Sequence, residues 1–85
     1  MSLALRPFVF WGFACTSDAM AAADACSRAG VPARLAQRPA ALGDVAECGT
    51  ALRARPQDEE RVRLALAEAG VAASGSCRQD DLTVA

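Results

Sequence analysis

Apolar and polar positions alternate in blocks along this chain. Phe8 to Ala14 is a continuous apolar run of mostly β-forming residues, FVFWGFA. A short run without polar alternation predicts a central strand covered on both faces. Cys15-Thr16-Ser17-Asp18 follows. Thr16 or Ser17 can cap a helix, and Asp18 suits its positive first turn. The next stretch, AMAAADACSRA, is rich in the best helix former and repeats Met20, Ala23 and Cys26 or Ser27 at helical spacing. Gly30 is the expected C′ stop, and Pro32 prevents continuation.

The second half repeats the order. Residues 33–38 alternate weakly, as an edge strand closed by Pro39. The segment AALGDVAE reads as a loop or loose hairpin, and residues 49–54 as the next strand. Pro56 pre-sets a first helical turn, with Asp58, Glu59 and Glu60 at the end that favours acids. Val62, Ala65, Leu66 and Ala69 form the buried stripe of that helix, and Gly70 ends it. Residues 71–74 read as a short last strand, and the chain from about Gln79 as a frayed tail. The order β-α-β-β-α-β predicts an α+β fold, the ferredoxin-like split β-α-β sandwich. This is a four-stranded antiparallel sheet with two helices on one face. A length of 85 residues fits a single domain over 1–85. Its core runs from about residue 7 to 77, and the tail, 78–85, is flexible.

That topology places the cysteines. The end of strand one, the start of helix one, the end of strand two and the start of strand three share one edge of the sheet. Cys15 and Cys48 belong there, whereas Cys26 and Cys77 go to the opposite edge. Cys48 would sit near the unpaired N–H groups of the first helical turn, which favour a thiolate. Gly49 leaves room for a partner to approach the sulfur. Glu47 opposes ionisation but points to the other face in strand geometry. The plainer reading makes Cys48 a small buried hydrophobe at a hairpin. Cys15 is a candidate resolving thiol or a packing residue. Cys26 lies on an alanine-rich helix face, as a core residue would, and Cys77 lies near the frayed end. Thr16, Ser17 and Arg38 are candidate binding residues at this edge. Arg34 and Arg38 share a strand face and can hold an anion, Arg38 being nearer to Cys48; their plainer role is to solvate an edge strand.

Composition narrows the chemistry. The chain has no His, a net charge of −1, and no apolar run approaching the 20 or so residues of a membrane span. Neither nucleic acid nor a membrane is therefore an expected partner. The N-terminal stretch carries only Arg6 as a charge and lacks a small-x-small site, so it does not read as a signal peptide. A cytoplasmic location follows, with the four cysteines as free thiols. Cysteine spacings of 11, 22 and 29 include no C-x₂-C pair, so no metal and no cofactor is expected. The lack of His also removes a Cys–His dyad. Strand one is apolar on both sides, Phe8 and Phe10 against Val9, Trp11 and Phe13, so a sheet with helices on one side only leaves an open apolar face, which predicts a homodimer or a protein partner.

The spaced pieces Thr16-Ser17-Asp18-Ala19-Met20, Ala29-Gly30-Val31-Pro32, Arg34-Leu35, Pro39, Cys48-Gly49-Thr50-Ala51-Leu52 and Gly70-Val71 occur in an order that resembles the Se/S carrier protein-like family of small bacterial proteins. The resemblance covers residues 8 to 75. It implies that Cys48 is a carrier thiol, holding sulfur or selenium as a persulfide or selenopersulfide between donor and acceptor proteins. Such a protein is a carrier more than an enzyme. Two other readings stay open. One is a non-catalytic interaction or regulatory domain that dimerises through its sheet, with Cys48 structural. The other is a thiol redox sensor pairing Cys15 with Cys48, which needs Cα atoms within about 7 Å.

Overall fold

The computed structural model describes residues 2–42 and 49–84. Strand β1 (Leu3–Gly12) is followed by helix α1 (Thr16–Arg28), strand β2 (Ala33–Gln37) and a 3-10 turn (Ala40–Leu42). Strand β3 (Thr50–Ala54), a 3-10 turn (Pro56–Asp58), helix α2 (Glu59–Ala69) and strand β4 (Gly75–Val84) complete the order. The four strands form one sheet, β2-β3-β1-β4, and every neighbouring pair is antiparallel. This is the split β-α-β, ferredoxin-like arrangement. No described helix is long and apolar enough to cross a membrane.

Both helices end in the same way, which accounts for the repeated Ala-Gly-Val. Gly30 and Gly70 take left-handed φ angles of 71° and 70°. The Val31 and Val71 N–H groups then reach back to the carbonyls of Cys26 and Leu66, at 2.9 and 3.0 Å. This paired closure satisfies carbonyls that a helix end otherwise leaves orphaned. The start of α1 departs from the capping expectation. Cys15, not Thr16 or Ser17, occupies the N-cap position, with extended backbone.

The last strand also differs from the sequence reading. Val71 is used in closing α2, so the short strand placed at 71–74 does not form there. Residues 75–84 pair instead with the whole of β1, from Leu3↔Val84 to Gly12↔Gly75. The residues read as a frayed tail are thus the second half of β4. Their polar run, Arg78-Gln79-Asp80-Asp81, hid a strand whose partner is the most apolar segment of the chain. That partner also starts earlier than its apolar run, at Leu3.

Apolar residues are buried on both faces of the sheet. Val9, Trp11, Phe13, Leu52 and Ala54 pack on Ala19, Ala22 and Cys26 of α1 and on Val62, Ala65 and Leu66 of α2. On the other face Phe8, Phe10 and Ala51 pack with Ala36, Leu42 and Cys77. This corrects the expectation of an open apolar face, since Phe8 and Phe10 are only 7% and 2% exposed. The cover comes from two sources. The turn after β2 lays Leu42 across the sheet. Arg53 sets its guanidinium 4.3 Å from the centre of the Phe8 ring and bonds Asp81 at 2.8 Å.

Candidate functional site

One edge of the sheet gathers the end of β1, the start of α1, the end of β2 and the start of β3. Arg38, one residue past β2, donates its backbone N–H to the Gly49 carbonyl at 2.9 Å. That bond carries the β2–β3 ladder one step beyond its last paired residues, Gln37 and Thr50. Gly49 is exposed, and a Cβ built on it would meet nothing within 4 Å among the described residues. Its φ is not positive, so open space, not backbone strain, distinguishes this glycine. Glu47 and Cys48 lie outside the described residues, and with them the Cys15–Cys48 separation.

Arg38 does more than the solvated edge arginine it resembles in the sequence. Its guanidinium donates to the Leu42 carbonyl at 2.8 Å and, at the long limit, to the Phe13 carbonyl at 3.5 Å. The half-buried side chain therefore ties the turn after β2 to the segment that leads into Cys15. It can do so because position 12 is glycine. A Cβ there would stand 2.8 Å from Nη1 of Arg38. A glycine inside an apolar run is the sequence signal for such a close approach. Leu42 gave no such signal. Arg34, its neighbour on the same strand face, is exposed.

At the start of α1 the Cys15 carbonyl accepts the Ala19 N–H at 3.3 Å. The Cys15 sulfur lies 3.1 Å from Oγ of Ser17. Ser17 is thus a partner of the thiol, and Thr16 lies exposed beside it. The remaining thiols separate. Cys26 is buried against the helix-side core, and burial pushes its pKa up. Cys77, expected at the far edge, is half-buried at the start of β4 opposite Phe10. Because Gly75 pairs with Gly12, the start of β4 lies beside the end of β1, on the same edge as Cys15. The misplaced last strand caused this error.

Next to Arg38, a cleft of 240 Å³ opens on the sheet face away from the helices. Phe10 and Pro39 line it with Gln37, Gln79 and Asp81. A larger groove of 460 Å³ runs between the helices, lined chiefly by alanines including Ala21, Ala25, Ala65 and Ala69. It contains no thiol.

Residues 10–78 match the model of the family described as Putative Se/S carrier protein-like. The chain belongs to that family. The Se/S carrier-like match takes in α1, the Cys48-Gly49 pair, α2 and the start of β4. It therefore spans every residue of the edge described above. No curated protein and no solved structure matches the chain.

Proposed function

We propose that this protein carries sulfur or selenium on Cys48, taking it from a donor protein and passing it to an acceptor. In the loading step the Cys48 thiolate attacks the outer sulfur of a donor persulfide. The new Cys48 S–S bond forms as the donor S–S bond breaks, and the donor leaves as a thiolate with the bonding pair. In delivery an acceptor nucleophile attacks the outer atom, and Cys48 leaves as a thiolate. Neither step needs an oxidant or reductant, and selenium follows the same course as a selenopersulfide.

The reading rests on family membership together with one observation. The Arg38–Gly49 bond sets the residue after Cys48 at the edge where α1 begins. Unpaired N–H groups of a helix start favour a thiolate nearby, and the open space at Gly49 admits a second protein. Cys15, at the N-cap beside Ser17, is the candidate for resolving a mixed disulfide. Arg38, Thr16 and Ser17 are the candidate binding residues.

The test is the pH dependence of alkylation of each cysteine in the folded, reduced protein, read by peptide mass spectrometry. Cys48 is expected to react fastest, with an apparent pKa below the free-thiol value of about 8.5. It should then gain one sulfur atom from a small persulfide donor. Protection of Cys48 until the protein unfolds removes the carrier reading and leaves a structural cysteine in an interaction domain.

A further inference from the structure

β4 is an edge strand of ten residues, with one neighbour in the sheet. Its far half and the first residues of β1 form a ribbon with Leu3↔Val84 and Leu5↔Leu82 as facing pairs. These pairs point to the same side of the sheet as Val9 and Trp11, the side that carries the helices, yet all four side chains are exposed. They are exposed by 64% for Leu3, 61% for Leu5, 54% for Leu82 and 57% for Val84. Together they form one contiguous apolar patch, a feature that is often functional. Natural edges are usually shortened, bulged, charged or blocked by proline, and the charges of β4, Arg78, Asp80 and Asp81, are of both signs, so a second copy can pair them. β4 has neither a proline nor a break in its pairing with β1.

We infer that β4 pairs with β4 of a second copy of this chain, antiparallel and centred on Gln79, so that the two sheets join into one of eight strands. The charges on the strand select this occupant and this register. A two-fold axis normal to the sheet keeps each pair on one face, so a residue must stand at its centre. With Gln79 there, two amides face each other, and Arg78 of each copy faces Asp80 of the other. The neighbouring registers put Arg78 on Arg78 or Asp80 on Asp80, and like charges directly opposite are destabilising. The Gln79 register also keeps residues 75–83 of both strands paired. In it Leu82 faces Ser76 of the second copy and Val84 faces Ser74. The exposed ribbon then lies along the helix-covered side of the second copy's sheet edge, where its apolar face can be covered. Both helix layers lie on one side of the joined sheet.

Sedimentation equilibrium over a wide concentration range tests this with three variants. The parent chain is expected to dimerise reversibly. Arg78→Asp and Asp80→Arg each turn two attractive pairs into two repulsive ones and should weaken the dimer tenfold or more. The double variant Arg78→Asp/Asp80→Arg restores both pairs and should recover parental association. All four proteins should show the same circular dichroism, since Arg78 otherwise only bonds Glu59 at the surface. A parent that stays monomeric at every concentration overturns the proposal. So does a dimer indifferent to either reversal, or a double variant that fails to recover.

Discussion

Two glycines of the candidate edge are distinguishable by experiment. Gly12 leaves room for a guanidinium, whereas Gly49 borders open space. In Gly12→Ala the flexible end of Arg38 must move off its carbonyl partners, a loss of about 1 kcal/mol visible as a lower Tm. Gly49→Ala should leave stability within about 0.5 kcal/mol. If Cys48 is the carrier thiol, the same substitution slows delivery to a protein acceptor and spares delivery to a small thiol. Equal slowing with both acceptors counts against steric access as the role of Gly49. Cys26 gives a third residue-scale expectation. Burial raises its pKa in the folded state, so its contribution is complete below the ordinary thiol value and lost as pH rises toward the folded one. Urea unfolding followed through the alkaline range should show stability falling above pH ~8.5, and less so in Cys26→Ala.

β4 separates what the sequence shows from what it conceals. Helices α1 and α2 were legible because their alanine-rich stripes, their acidic first turns and their glycine stops all point the same way. β2 and β3 were legible from Pro39 and from the apolar run after Gly49. β4 was not, because an edge strand whose exposed side chains face water reads like a tail. Its cost in the sequence reading was the position of Cys77. The Arg38 contacts were also hidden, since they depend on Gly12, which lies 26 residues away. A chain ending at Gln79 tests the strand directly. A true tail would be dispensable, but here half the β1–β4 ladder goes with it, and the shortened protein should unfold at markedly lower urea. Arg53→Ala probes the cover on Phe8. Arg53 holds the Asp81 carboxyl below the usual range. That contribution is present above the ordinary carboxylate value and lost as pH falls through the depressed one. The pair is part-exposed, so its share is under about 1 kcal/mol, and the variant should show a flatter acid limb in unfolding at varied pH.

For the molecule as a whole, the two faces of the sheet are closed by different means. Packed helices cover one. A turn, a cation over an aromatic ring and an ion pair cover the other. An apolar dye that marks exposed aromatic clusters should therefore bind the folded protein weakly, and Arg53→Ala more strongly. Leu3, Leu5, Leu82 and Val84 gather exposed apolar area on the β1–β4 ribbon instead, so association is expected along an edge and not across a face. The order of the strands has another outcome, in time. β1 is the first strand made, yet both its neighbours, β3 and β4, come from the second half of the chain. Closing Leu3 on Val84 joins the two outermost strands of the described sequence. Such distant pairing must pay loop closure before it gains contacts, and it slows folding toward the millisecond-to-second range of other non-local topologies. Until β4 has left the ribosome, the most apolar strand of the fold stays without its longest partner. A nascent chain lacking β4 is thus the species that a chaperone would meet.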